Sequence, residues 1–214
     1  MNRKFLLAFL LSISFIAYTS AQIGIKAGVN MANEITSFNS GAIANSFQSR
    51  NLTGYQIGLV YQKMPKVMGF GFETGVMLSQ KGNSFTYSDE ISVGENIKKG
   101  YKELNYVEIP FNVRYHISLG FIGFYASAGV YGGYTLSGKK VDDSNQVTEK
   151  IKYPDFDSRT DYGYNLGVGL EVLNKIQLGT NWSQGLKNTT NSNTSEDIKS
   201  SKNRVYSVTL VYLF

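Results

Sequence analysis

The stretch Arg204-Val205-Tyr206-Ser207-Val208-Thr209-Leu210-Val211-Tyr212-Leu213-Phe214 decides the fold. Read at every second residue, Tyr206, Val208, Leu210, Tyr212 and Phe214 are all apolar or aromatic. Strand side chains alternate between faces, so the stretch predicts a strand with one greasy side. The other face carries Val205, Ser207 and Thr209, then turns apolar at Val211 and Leu213. An apolar strand on an open sheet edge invites aggregation, whereas a closed barrel has no edge. The terminal strand is therefore expected to pair back with the first one, antiparallel to residues 23–31, and to turn its greasy face to lipid.

Seven further segments alternate with the same period of two: 23–31, 51–63, 68–81, 101–117, 121–136, 160–173 and 176–187. In 68–81, for example, Phe70, Phe72, Thr74, Val76 and Leu78 alternate with Gly71, Glu73, Gly75, Met77 and Ser79. Each segment reaches the ~9–11 residues of a tilted membrane strand. A single such segment is a weak signal. Eight in succession, each with small or polar residues on one face, predict an all-β, eight-stranded antiparallel up-and-down transmembrane β-barrel.

Connections and aromatics point the same way. Short connections at 64–67, 118–120 and 174–175 alternate with long ones at 32–50, 82–100, 137–159 and 188–203. That alternation is expected of an outer-membrane barrel with both termini in the periplasm and four long extracellular loops. Tyr55, Tyr134, Tyr162, Trp182 and Tyr206 fall at the long-loop ends of their segments, and Tyr61 and Tyr115 at the short-turn ends. Two aromatic girdles around an aliphatic band are expected from the apolar body and polar tip of such side chains. A soluble lipocalin-like barrel would instead place the apolar face inside.

Met1-Asn2-Arg3-Lys4, an apolar run to about Tyr18 and Thr19-Ser20-Ala21 read as a signal peptide over 1–21, leaving the barrel domain as 22–214. Removing Arg3 and Lys4 takes the formal charge from +5 to +3, too mild for a nucleic-acid footprint. With no Cys, disulfides and thiolate metal sites are excluded. High Tyr, Phe and Gly with only 3 Pro favour many strands.

By phase, Lys26, Glu73, Glu108, Arg114, Asp161 and Glu171 point into the barrel. Eight strands leave an interior about wide enough to be filled by side chains. Unpaired charge there costs several kcal/mol, so these groups are expected to pair as a plug that shuts the lumen. His116 shares the inward face beside a short turn and is expected to be an ordinary rim residue. No catalytic, cofactor-binding or metal-ligating set is expected, with one His, no Cys and no nucleophile at motif spacing. Pro110 cannot donate to a ladder and predicts a bulge or a lost hydrogen bond.

Ile23-Gly24-Ile25-Lys26-Ala27-Gly28-Val29-Asn30 resembles the first strand of the PorT-like outer-membrane β-barrel family of Bacteroidetes. Tyr106-Val107-Glu108-Ile109-Pro110-Phe111 with Arg114-Tyr115, and Ala128-Gly129-Val130-Tyr131 with Gly133-Tyr134, resemble its fourth and fifth strands. The resemblance implies the bacterial outer membrane, and Tyr212 with Phe214 resembles the signal read by the barrel-assembly machinery. The expectation is a monomeric, non-enzymatic barrel partnered by outer-membrane lipid and, through its loops, by a surface ligand or envelope protein. The alternative is a small channel or a component of a secretion or uptake assembly.

Overall fold

The computed structural model describes residues 19–38, 47–89, 96–142, 147–150, 159–187 and 198–214. The expected leader lies outside them up to residue 18. Nine strands follow: β1 (Thr19–Phe38), β2 (Phe47–Pro65), β3 (Met68–Asp89), β4 (Asn96–Leu119), β5 (Ile122–Asp142), β6 (Val147–Lys150), β7 (Thr160–Val172), β8 (Ile176–Gly185) and β9 (Ile198–Leu213). Each long strand pairs antiparallel with its neighbours, and β9 returns to β1 through Gly24↔Leu213 up to Ser37↔Ser200. The eight long strands thus close a barrel, and β6 is a short flap hydrogen-bonded to β5 at Lys139–Val141. Phe214 N–H donates to the Ile23 carbonyl at 2.9 Å and ties off the seam.

The two faces of β9 show how the sequence pattern becomes a wall. Tyr206, Val208, Leu210, Tyr212 and Phe214 are exposed, while Val205, Ser207, Thr209, Val211 and Leu213 are buried. Around the barrel the outward face is apolar, as with Ile25, Leu59, Val76, Ile109, Val130, Val168 and Leu178. The buried set is largely polar, and includes Lys26, Gln62, Glu73, Arg114 and Gln177. This is an inside-out distribution that only an apolar solvent stabilises. Val211 and Leu213 join Val60 and Met77 in a small apolar core inside the lumen, which explains the two-sided apolarity at the end of β9.

The strands run longer than the apolar alternation predicts. The long connections expected at 32–50 and 82–100 are largely continued ladder, with Asn33↔Arg204, Phe47↔Tyr87 and Asp89↔Asn96 in register. The connection expected at 137–159 contains the end of β5 and all of β6. At ~3.3 Å per residue and a tilt of about 40°, the 24 residues of β4 rise about 60 Å, more than twice the ~25 Å apolar band. The upper strands therefore rise clear of the apolar band, while their inner face stays closed in, with Asn83, Leu104, Val141 and Asn203 buried. Backbone pairing holds there without any apolar alternation for a sequence reading to detect. The short turns lie together at the opposite end, which we call the turn end, and the crown of long strands is the loop end.

Pro110 is accommodated without a bulge. Thr74↔Phe111 and Met77↔Glu108 keep one register, and the two intervening β3–β4 pairs are missing. Thr74 Oγ1 donates to the Pro110 carbonyl at 2.8 Å, so the acceptor is kept where the donor is absent. Register shifts do occur higher up, between Asn51 and Gln56 on β2 and at Asn105/Tyr106 opposite β5.

Candidate functional site

The candidate site is the lumen, where two charged clusters sit one above the other. At the turn end, Glu73 of β3 is fully buried. It accepts from Lys26 Nζ of β1 at 3.0 Å, Arg114 Nη2 of β4 at 2.5 Å and Gln62 Nε2 of β2 at 2.7 Å. Arg114 Nη1 also donates to Gln177 Oε1 of β8 at 3.0 Å. Gln177 Nε2 bridges Gln62 Oε1 at 2.9 Å and Glu171 Oε2 of β7 at 2.6 Å. The guanidinium carbon of Arg114 lies 4.1 Å from the centre of the Tyr125 ring of β5. One network therefore joins seven of the eight staves.

Room for Tyr125 comes from two glycines. Gly169 and Gly179 face each other across β7 and β8, and a Cβ on either would strike the Tyr125 hydroxyl. A larger residue at either position would push the ring off Arg114.

At the loop end the polarity is reversed. Lys81 Nζ of β3 makes a short ion pair with Glu108 of β4 and lies 3.5 Å from Asp161 Oδ2 of β7. Its ammonium sits 4.3 Å from the Tyr131 ring centre and 5.2 Å from that of Tyr106. Asp161 Oδ2 also accepts from Tyr131 Oη at 3.2 Å and Asn203 Nδ2 at 3.1 Å. Higher in the crown, Lys139 donates to Glu103 at 2.9 Å, a contact that raises the Lys139 amine above its ordinary range. Between the clusters lies a chamber of about 60 Å³, bordered by Asn30, Ser79, Asn112, Asn165, Asn181 and Ser207. A polar space of that size has room for a few waters.

Below the turn-end cluster a cavity of about 210 Å³ opens between Gln22, Met64, Pro65, Lys66, His116, Glu171 and Asn174. His116 Nε2 lies 3.2 Å from Glu171 Oε1, and both side chains are buried. His116 lies on the inward face beside the short turn, where its phase places it, and Gly123 of β5 leaves space for the imidazole. Among the described residues no three of His, Asp or Glu are grouped to hold a metal ion.

Of the six charges expected to point into the lumen, Lys26, Glu73, Arg114 and Glu171 meet at the turn end. Glu108 and Asp161 belong to the other cluster. Lys81 is the functional residue that sequence reasoning missed. It continues the inward series Glu73, Gly75, Met77, Ser79, so its phase could have found it. It stands at the edge of the apolar band, where the pattern fades. Among the expected girdle residues, Tyr55, Tyr61, Tyr115, Tyr162 and Tyr206 are exposed on the outer face, while Tyr134 and Trp182 are partly covered. Trp182 packs edge-on against Tyr164 at 5.5 Å, and Tyr212 against Phe214 at 5.6 Å.

Residues 16–191 match the family model described as outer membrane protein beta-barrel domain. No curated protein matches the chain. Solved structures with a similar fold include the outer membrane protein OprG from Pseudomonas aeruginosa (10% identity, TM-score 0.48, covering 92% of this chain and 97% of that one). Neisserial surface protein A is similar at 10% identity and TM-score 0.45, covering 91% and 99%. Ail, the attachment invasion locus protein of Yersinia pestis, is similar at 14% identity and TM-score 0.41, also covering 91% and 99%.

Proposed function

The chain belongs to the outer membrane protein beta-barrel domain family, and on that premise we propose that it is a closed, non-enzymatic membrane anchor whose long hairpins present a surface-binding crown. Its place is the bacterial outer membrane. The observation that carries the reading is the double plug: the lumen is crossed by the Glu73 cluster and again by the Lys81 cluster. Opening either would separate buried ions, at several kcal/mol each. The buried pairing of His116 with Glu171 supports a structural rather than a catalytic imidazole. In this reading both termini and the turn end face the periplasm, the chain is of the PorT-like kind found in Bacteroidetes, and the barrel works as a monomer.

Two experiments test it. Planar-bilayer recordings of the refolded protein should show a silent wild type, and discrete openings would favour the small-channel alternative. Because the chain has no Cys, single Cys residues report orientation cleanly. On intact cells a membrane-impermeant maleimide should label Ser137→Cys in the crown and spare Lys66→Cys at the turn end. The reverse pattern would invert the topology.

A further inference from the structure

Below the turn-end cluster the lumen ends in a blind pocket, the cavity of about 210 Å³ beside His116. Gln177 bonds to both Glu171 and Arg114 across the lumen and forms its roof. Glu171 and His116 are buried inside it, while Gln22, Lys66 and Asn174 stand exposed at its lip. A single water needs only ~10–15 Å³, and drug-sized ligands fill ~300–1,000 Å³. The pocket therefore suits a small molecule.

The bonding capacity left inside is of one kind. Glu171 Oε2 accepts from Gln177 Nε2 at 2.6 Å and Oε1 faces His116 Nε2 at 3.2 Å, so about half of the carboxylate's roughly four lone-pair positions remain. A carboxylate only accepts, so the neutral imidazole turns its Nε2–H to Glu171 and leaves Nδ1 as an acceptor. Nδ1 is buried and has no hydrogen-bond partner among the described residues. At the lip the Asn174 carbonyl accepts from Gln22 Nε2 at 3.1 Å. Among the described residues that border the pocket, Glu171 is the only carboxylate and Lys66 the only ammonium. A metal ion would find just one carboxylate and one imidazole here, short of a metal-ligand set. Acceptors inside and a cation at the lip fit a molecule with N–H donors at one end and negative charge at the other.

We propose that the turn-end pocket binds a small zwitterion of the aminoethyl phosphate type, its primary ammonium donating to Glu171 and to His116 Nδ1 and its phosphate meeting Lys66. A primary ammonium brings three donors to these acceptors. Charge-assisted hydrogen bonds are the strong ones, and burial strengthens them further. The same chemistry is carried by a free solute and by a phospholipid headgroup. Binding to the isolated barrel does not depend on which end faces outward, so its failure is separate from a failure of the cysteine-labelling test.

His116 is the only histidine in the chain, so a barrel carrying isotope-labelled histidine reports the pocket by NMR through one imidazole. In phosphatidylcholine nanodiscs, phosphoethanolamine should shift its resonances saturably. Phosphocholine, which keeps both charges but has no N–H donor, should bind at least about tenfold more weakly. Ethanolamine, which lacks the phosphate, should bind about threefold more weakly. Glu171→Gln should weaken phosphoethanolamine at least about tenfold, and Lys66→Gln about threefold while leaving ethanolamine unchanged. Lys63, between the buried Gln62 and Met64, points outward, and Lys63→Gln should change neither. Heat-modifiable migration checks that each variant folds. If Glu171→Gln does not fold, the exposed Lys66→Gln variant and the ligand series carry the test. Replacing phosphatidylcholine with phosphatidylethanolamine separates the sources: a weaker apparent affinity for the free ligand assigns a lipid headgroup, an unchanged one assigns a solute, and both support the pocket. No saturable shift, phosphocholine binding as tightly as phosphoethanolamine, or undiminished binding to folded Lys66→Gln would overturn the proposal.

Discussion

Glu73 and Lys81 stand at opposite ends of one lumen and are mirror images in charge. The first is a carboxylate held between two cations, Lys26 and Arg114. The second is an ammonium held between two carboxylates, Glu108 and Asp161. Their supports differ as well. Amides of Gln62 and Gln177 knit the turn-end cluster, whereas the rings of Tyr106 and Tyr131 pack around the loop-end one. The difference matters when a partner is lost. The arginine left behind at the turn end keeps its charge at any working pH. Carboxylates left behind at the loop end can neutralise by taking up protons.

The largest effect should therefore come from Glu73→Gln, which leaves Lys26 and Arg114 buried without an anion. It is expected to cost about 3–5 kcal/mol in urea unfolding from lipid vesicles, with little change between pH 5 and pH 8. A loss below ~1 kcal/mol would break the view of Glu73 as the hub. Lys81→Met should cost about 2–4 kcal/mol near neutrality and recover part of that as the pH falls. The sign follows from linkage: the folded variant, with two carboxylates facing each other, binds protons more readily than its unfolded chain, so acid favours folding. A pH-independent loss would erase the contrast between the clusters.

Gly179→Ala comes next, at about 1–3 kcal/mol, because its methyl meets the Tyr125 hydroxyl. Adding Tyr125→Phe removes that oxygen and should restore part of the loss, and failure to do so would show that the crowding lies in the backbone. The smallest effect is expected from His116→Gln, about 1 kcal/mol, since Glu171 keeps its hydrogen bond from Gln177. A loss as large as that of Glu73→Gln would move the hub of the turn-end cluster down to the mouth.

The legible part of the site was the part that follows phase. Lys26, Glu73, Arg114 and Glu171 could be placed inside the barrel by counting from exposed neighbours, because a closed wall allows each residue only two directions. Phase alone did not say that Glu108 belongs with Lys81, or that Gln62 and Gln177 clasp each other across a separation of 115 residues. Those choices depend on shear, which sets residues of distant strands at one height. The crown was illegible for a different reason. Clear of the lipid, its outer face has no need to be apolar, and its inner face buries polar groups such as Asn83 and Asn203, so the pairing of Asn83 with Lys102 or of Ser37 with Ser200 leaves no apolar trace.

By itself the sequence determined the alternation, the eight long staves, their greasy outer face and the identity of most charges that must hide inside. It could do so because lipid outside and a narrow polar lumen inside impose opposite chemistry on successive residues. Only the tertiary structure decided which charges meet, that they form two opposed clusters rather than one, and how far the wall rises beyond the apolar band. Partner choice in a closed barrel depends on register accumulated around its whole circumference, and no local stretch of chain, not even Arg204 to Phe214, contains that sum.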